Sequence, residues 1–483
     1  MILKNLELYV HIPFCVRKCA YCDFLSFVAP DEEVQRAYVD AVSKEIAHYG
    51  QRLKDYAISS IYIGGGTPSV LEAEQILLLM QVIRASFAVQ GDAEISIEIN
   101  PGTDKDPEVM RHKLSVYLSC GINRLSIGLQ STHNGELDLL GRIHTFEQFL
   151  QTYQTAREVG FTNINVDLMS GIPYQTPEKF RQSLQWMLRL KPEHISAYSL
   201  IVEEGTPYYE LYHQDVLRQE AGEPTQILPT EDAVCQMIAD TNEMLGAHGY
   251  RRYEISNYAM PGCECRHNLG YWERTEYLGV GLGASSLLWN TRYENMKNPG
   301  KYIRSAADIH PLTTIRSVSS KAAASGASGL RAKAAASGAS GLQAEAAASG
   351  VSGLRAKAVA SGASGLQAEA ASGVSDTQAK TAAGDSAWEQ QRRLTWKTNL
   401  HTSELKLSRH EQMAEFMYLG LRKTDGVSRA DFQDYFGVSI DAIYPGQIRR
   451  LSQEGLLVQR AGRIYLTEQG LNVSNYAMAQ FIV

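Results

Sequence analysis

Cysteine is scarce in this chain, seven among 483 residues, too few and too unevenly placed for a secreted disulfide framework. Long apolar runs are missing too. None approaches the ~20 residues that a membrane-spanning helix needs. Lys4 and Glu7 interrupt the N-terminal stretch MILKNLELYVHIPF, so it does not read as a signal peptide. Excess positive charge is also absent, and a net charge of −7 offers no bulk attraction to nucleic acid or anionic membrane. Together these absences point to a reducing, cytoplasmic setting without nucleic acid as a partner. What is present is ordinary for a globular protein: 44% hydrophobic residues and a length that predicts two or three compact units.

Short β-branched runs alternate with amphipathic stretches over the first 200 residues. The runs at 6–12, 57–66, 94–100, 123–130, 163–171 and 194–201 read as strands, and 31–50, 72–88, 105–119, 145–159 and 177–190 as helices. This alternation predicts an α/β fold of parallel βαβ units, closed into a partial barrel or wound into an open sheet. Either form places its chemistry at the C-terminal ends of the strands. The motifs comply: a cysteine group follows the first strand, GGGTPS ends the second, and Glu98–Pro101 ends the third.

Aromatic residues vanish between Ile303 and Ala387, where the unit AAASGASGLRAK recurs with a period of 12 from Ala322. One leucine per repeat is too little core for a solenoid, so the composition predicts a disordered insert without a catalytic role. Beyond it, 408–422, SRADFQDYFG and IDAIYPGQIRRLSQEG read as three helices, with a hairpin after them, a winged-helix-like module. Residues 408–483 carry eight Lys and Arg against eight Asp and Glu. A DNA reader should be basic, so this module is expected to pack or to bind a protein partner.

The group is CVRKCAYC: Cys15, Cys19 and Cys22 at spacing C-x3-C-x2-C, with no other cysteine before Cys120. Structural zinc takes four protein ligands, and 4Fe–4S clusters ordinarily take four thiolates. Three thiolates would leave one iron with an open position, as a reactive cofactor requires. Zinc and unligated thiols remain alternatives on the spacing alone.

YVHIPFCVRKCAYCDF, GGGTPS and IEINP together resemble the radical S-adenosylmethionine (SAM) superfamily, whose members hold SAM on the unique iron of a 4Fe–4S cluster. NRLSIGLQS, LGRIH, VDLMSGIPYQT, HISAYSL, EEGTPYY and EFMYLGLR narrow the likeness to the oxygen-independent coproporphyrinogen III oxidase-like branch, over about 1–300 and 405–483. The resemblance implies a partial (β/α)6 barrel with a small C-terminal winged-helix-like domain. It implies cluster ligands Cys15, Cys19 and Cys22, and a SAM site lined by Tyr9, Gly65, Gly66, Thr67, Glu98, Gln130, Arg142 and Asp167, with Tyr21 against the adenine. Gly64, Gly65 and Gly66 would let the backbone approach the methionine closely. The domain limits that follow are 1–215 for the barrel, 216–304 for its extension, 305–390 for the insert and 391–483 for the C-terminal unit.

Within the branch, oxidative decarboxylases carry a long N-terminal arm and a fourth cysteine two residues after the third. Here 14 residues precede Cys15 and Phe24 occupies that position, a pattern that resembles the heme chaperone HemW group. CECRHNLGYW (263–272) is similar to that group's H-N-x-x-Y-W motif, which implies His267 as heme ligand or anchor and Tyr271 and Trp272 as stacking partners. Cys263 and Cys265 are expected to be ordinary thiols. The resemblance thus implies a heme chaperone that binds a 4Fe–4S cluster, SAM and heme and serves heme-accepting proteins, respiratory ones included. It admits a homodimer and peripheral contact with membrane-bound acceptors. The alternative is radical oxidative decarboxylation of coproporphyrinogen III to protoporphyrinogen IX. Whether SAM is turned over stays open.

Overall fold

The computed structural model describes residues 3–104, 106–309, 396 and 398–482. The strands are β1 (Lys4–Ile12), the two-residue β2 (Phe14–Cys15) and β3 (Phe27–Val28), β4 (Tyr56–Gly65), β5 (Ala88–Ile99), β6 (Arg124–Gln130), β7 (Ile164–Ser170) and β8 (His194–Ser199). β9 (Arg251–Arg252), β10 (Asn257–Ala259), β11 (Tyr277–Val280), β12 (Ser285–Leu288), β13 (Thr291–Asn295) and β14 (His401–Lys406) follow. One sheet runs β14-β13-β12-β11-β1-β4-β5-β6-β7-β8-β10-β9. Its central six strands, β1 through β8 without the short pair, are parallel, the partial six-stranded barrel that the resemblance implied.

Helices Glu32–Gly50, Ala73–Ser86, Pro107–Ser119, Phe146–Val159 and Pro177–Leu190 connect these strands. Their starts follow from the sequence. Asp31, Asp106, Thr145 and Thr176 accept hydrogen bonds from the first-turn amides, and Pro107 and Pro177 occupy first helical positions.

Period-two alternation divides the strands into two faces. Leu6, Leu8, Val10 and Ile12 of β1, with Ile61 and Ile63 of β4 and Leu125, Ile127 and Leu129 of β6, are fully buried in the main core beneath the helices. Each such side chain contributes about 1.5–3 kcal/mol by leaving water. The opposite face is polar. Glu7 pairs across to Ser60 and Ser60 to Glu94; Tyr9 pairs to Tyr62, Tyr62 to Ser96 and Ser96 to Arg124. One layer higher, Glu98 pairs to Ser126, Ser126 to Asn165 and Asn165 to His194. The barrel interior is therefore a stack of polar layers that opens at the C-terminal ends of the strands.

Two expected limits shift. Residues 305–307 continue the helix Pro299–Ala307 rather than starting the insert, because Tyr302, Ala306 and Ile309 are buried against the main core. Residues 310–390 of the predicted insert, with its repeats, lie outside the described residues. Likewise β14, expected in the C-terminal unit, pairs antiparallel with β13 of the large sheet. Trp396, just before it, is fully buried against Tyr49, Tyr293 and His401. The C-terminal domain proper begins at helix Arg409–Gly420 and carries its own sheet of β15 (Val427–Ser428), β16 (Leu457–Arg460) and β17 (Arg463–Leu466). It has its own core around Met417, Phe432, Ile448 and Phe481.

Candidate functional site

The chain turns at the top of β1 into β2, which ends on Cys15 and pairs with β3, and Cys19 and Cys22 hang on the loop that this short pair closes. The GGGT turn at the top of β4 holds the root of that loop. Gly66 N donates to Ile12 O at 2.8 Å and Thr67 N to Phe14 O at 2.7 Å. Gly65 has φ +115°, and a Cβ there would lie 2.5 Å from the His11 ring; one on Gly66 would lie 2.7 Å from Phe14 O. The sequence suggested that these glycines admit a ligand. The structure adds a second reason for them: a side chain at either position would collide with the protein's own 11–14 segment.

An open cleft of about 720 Å³, its mouth included, lies above the polar layers. It is lined by Cys15, Cys19, Cys22 and Tyr21 from the loop, Gly65, Gly66 and Thr67 from the β4 turn, and Glu98, Gln130, Arg142 and Asp167 from the following strands and loops. Tyr9 lies beneath this lining. Its hydroxyl is bonded to His11 Nδ1 at 2.9 Å and its ring stacks on Tyr62.

All three cysteines are free thiols, and burial pushes the Cys15 and Cys22 thiols up. Among the described residues, no three His, Cys, Asp or Glu side chains converge where one metal ion could bind. Thiolates spread around a common cleft suit a polynuclear iron–sulfur cluster, in which each thiolate holds its own iron.

Thr67 Oγ1 donates to Cys15 Sγ at 3.6 Å, and Asn100 Nδ2 donates to Thr67 Oγ1 at 2.7 Å. Arg142 donates to Asn100 Oδ1 and to Gly128 O, both at 2.6 Å, and through Nη1 to Cys19 Sγ at 3.7 Å. Burial opposes the Arg142 charge, but Tyr21 and Cys19 beside it outweigh burial and keep it a cation. Asn100 was not singled out in the sequence, although it stands in IEINP. Only the contact between neighbouring strand ends reveals its part.

Glu98 accepts from Tyr62 OH at 2.9 Å and from Gly65 N at 3.1 Å. Burial pushes its carboxyl up to about 7, so near neutral pH it can either accept or donate a hydrogen bond. Asp167, also raised by burial, accepts from Asn165 Nδ2 at 2.7 Å. Gln130 sits at φ 74° and accepts from Tyr198 OH at 2.8 Å. A non-glycine residue in this left-handed conformation is uncommon and needs surrounding structure to hold it.

The 263–272 segment lies elsewhere. Helix Arg266–Trp272 plugs the lower end of the barrel interior, and His267 is 1% exposed. Its Nδ1 is bonded to Ser60 Oγ at 2.8 Å, its Nε2 to Tyr271 OH at 3.2 Å, and its ring stacks on Tyr62. Burial pushes its pKa down to about 3, so the imidazole is neutral. Both ring nitrogens are engaged, and neither is presented to an outside ligand. Trp272 lies under the Arg422 guanidinium at 4.3 Å, so the C-terminal domain covers the end of this helix. Cys265, fully buried, donates to Glu94. The structure thus does not bring His267, Tyr271 and Trp272 to the cleft, and their ring contacts are internal.

Residues 9–187 match the radical SAM superfamily and residues 407–473 the HemN C-terminal domain. The chain is similar to the heme chaperone HemW of Bacillus subtilis, 29% identical over 475 residues and 98% of both chains. It is 36% identical to that of Haemophilus influenzae, over 62% of this chain and 76% of the other. With that of Escherichia coli it is 34% identical, over 64% and 79%. Among solved structures it resembles coproporphyrinogen III oxidase (HemN) of Escherichia coli, described as a radical SAM enzyme. The TM-score is 0.67 at 21% identity, covering 99% of this chain and 91% of that one. That likeness speaks for the fold.

Proposed function

The chain belongs to the heme chaperone HemW family of the radical SAM superfamily, and from that membership we propose that it binds heme and hands it to recipient proteins. The observation that carries the reading is the likeness to a curated heme chaperone along 98% of the chain. Phe24 supports it against the decarboxylase: an exposed phenylalanine at the cleft stands where the oxidase pattern has a fourth cysteine.

Cys15, Cys19 and Cys22 would hold the 4Fe–4S cluster, and their chemistry and common cleft fit it. A bound cluster would supply one iron without a protein thiolate, an open position suited to SAM. The chain's own residues do the rest. Arg142 and Thr67 steady two of the sulfurs by hydrogen bonds, and Glu98, Gln130 and Asp167 offer polar atoms around the cleft for an amine, ribose or adenine. Tyr21 offers a ring face, and Tyr9 supports the layer below.

The same reading assigns the protein to the cytoplasm, with respiratory proteins among the recipients, and admits peripheral contact with membrane-bound recipients and a homodimer. Among the described residues no helix is long and apolar enough to cross a membrane.

Anaerobic incubation of the iron-loaded protein with heme, and separately with coproporphyrinogen III and SAM under reducing conditions, tests the reading. Saturable heme binding with little or no protoporphyrinogen IX is expected. Repeated turnover to that product, with heme bound no more tightly than by an unrelated protein, would overturn it.

A further inference from the structure

Three buried polar side chains reach neither the cleft nor the cysteine loop: Asn165 of β7, His194 of β8, and Tyr253 between β9 and β10. They stand in one line. Asn165 Nδ2 donates to Asp167 Oδ1 at 2.7 Å and to Ser126 Oγ at 2.8 Å. Its Oδ1 is bonded to His194 Nδ1 at 2.6 Å, and His194 Nε2 to Tyr253 OH at 2.8 Å. Tyr253 OH also accepts from Cys265 N at 3.3 Å. The line thus runs from a carboxyl group that lines the cleft to the residue that precedes the first turn of helix Arg266–Trp272.

The direction of each bond follows from its partners. Asp167 accepts, so Asn165 turns its amide nitrogen toward it and its oxygen toward His194. Burial pushes the His194 pKa well below its ordinary value, so the ring is neutral and has a single N–H. That proton sits on Nδ1, facing the Asn165 oxygen, and Nε2 accepts from Tyr253. Every donor therefore points the same way, from Cys265 toward Asp167, an arrangement in which each bond polarises the next.

The helix at the far end cannot hold itself. Its seven residues are too few for a stable isolated helix, so its seating depends on what grips its first turn. Glu94 accepts from Cys265 Sγ at 3.4 Å, Arg266 N at 3.0 Å and His267 N at 3.2 Å, while Tyr253 holds Cys265 N. At the near end, a ligand in the cleft excludes water from Asp167. A drier carboxylate holds its donors more strongly, and the gain passes along the chain. Tyr62 also spans from Glu98 to His267, but it meets His267 with a ring face.

Resting on the reading that the cleft takes SAM, we infer that Asn165, His194 and Tyr253 are positioning residues that couple the cleft to the motif helix, so that a nucleoside ligand beside Asp167 tightens the seating of Arg266–Trp272.

The test uses the full-length, iron-loaded protein and S-adenosylhomocysteine, which keeps the adenosine and amino-acid groups of SAM. Calorimetry reads its binding, and mass spectrometry reads amide hydrogen exchange in peptides spanning 265–272. Saturating ligand should slow that exchange about fivefold or more in the parent. Tyr253→Phe removes only the hydroxyl. The helix is seated in the empty protein as well, so this variant should bind the ligand within about threefold of the parent yet lose the slowing. His194→Leu, which cuts the chain one bond nearer the cleft, should lose it too. Tyr258→Phe is the control: its hydroxyl donates to Asn242 Oδ1, outside the chain, and the slowing should persist. If the parent binds neither S-adenosylhomocysteine nor SAM, the SAM reading falls, and this inference with it. Binding without slowed exchange at 265–272, slowing that survives in Tyr253→Phe and His194→Leu, or slowing lost equally in Tyr258→Phe overturns the coupling alone.

Discussion

Arg142 Nη2 donates to Asn100 Oδ1 at 2.6 Å, and this contact closes a hydrogen-bonded chain between two cysteines. The chain runs from Cys15 through Thr67, Asn100 and Arg142 to Cys19. It couples three separate parts of the barrel: the turn after β4, the residue after β5, and the loop beyond β6. The cysteine loop has little regular structure of its own, so its sulfurs take their positions from this scaffold.

Asn100→Ala cuts the chain at its middle and leaves the buried Arg142 guanidinium with one partner fewer. The expected cost is about 1–3 kcal/mol, with faster loss of iron during anaerobic gel filtration. Asn100→Asp, which keeps an acceptor for Arg142, should recover most of both. Thermal unfolding and iron analysis read the result. An alanine variant equal to the parent in melting temperature and iron retention would remove the scaffold role.

Replacing Cys15, Cys19 or Cys22 by Ala should abolish the visible iron–sulfur absorbance. Cys120, Cys235, Cys263 and Cys265 do not line the cleft, and their alanine variants should keep it. For Cys265→Ala a small loss of stability is expected as well, because its buried thiol bonds Glu94. A Cys19 variant with four irons per chain would refute the assignment.

Glu7 lies beneath the motif helix, 3.9 Å from His267 Nδ1, with one carboxyl oxygen lacking a hydrogen-bond partner. Burial, the largest cause, pushes its pKa from 4.5 up to about 9. The folded protein then binds a proton at Glu7 that the unfolded chain has released between these values, so stability falls as pH rises through this window. Glu7→Gln removes that dependence. Its melting temperature, relative to the parent, should gain more at pH 8 than at pH 5. An equal difference at both pH values would mean that Glu7 is already ionised in the fold.

Glu415 of the C-terminal domain receives Arg274 at 3.1 Å and Arg292 at 2.8 Å, and all three side chains are largely withdrawn from water. Glu415→Ala leaves two arginines facing each other without a counter-charge, at an expected cost of about 3–5 kcal/mol. The C-terminal domain should then release Trp272 from Arg422. Limited proteolysis should cut near residue 407 sooner than in the parent, and Trp fluorescence should shift to the red. Unchanged cleavage kinetics would show that the other contacts, among them Lys423 on Glu273 and Thr424 on Arg252, hold the domains together without Glu415.

Strand and helix positions were legible in the sequence because both faces of strands such as β6 are buried, and Ser, Thr, Asp and Pro mark helix starts through local bonding. β1, β4 and β6 and the helices Glu32–Gly50, Ala73–Ser86 and Phe146–Val159 fall within a residue or two of their expected limits, whereas the short helix Asn134–Leu140 was not expected. The cysteine group was equally plain, since C-x3-C-x2-C is a local pattern. The role of the glycines was less so: their spacing showed that backbone had to come close, but not whose backbone. Asn100 and Arg142 meet across strand ends 42 residues apart, a distance no local pattern reports. His267 shows the limit most clearly. The sequence gives a histidine among aromatics, which serves equally as a ligand and as a buried plug. Only the fold, by setting Ser60 and Tyr271 against its two nitrogens and the C-terminal domain over its helix, decides that in this structure the ring is turned inward.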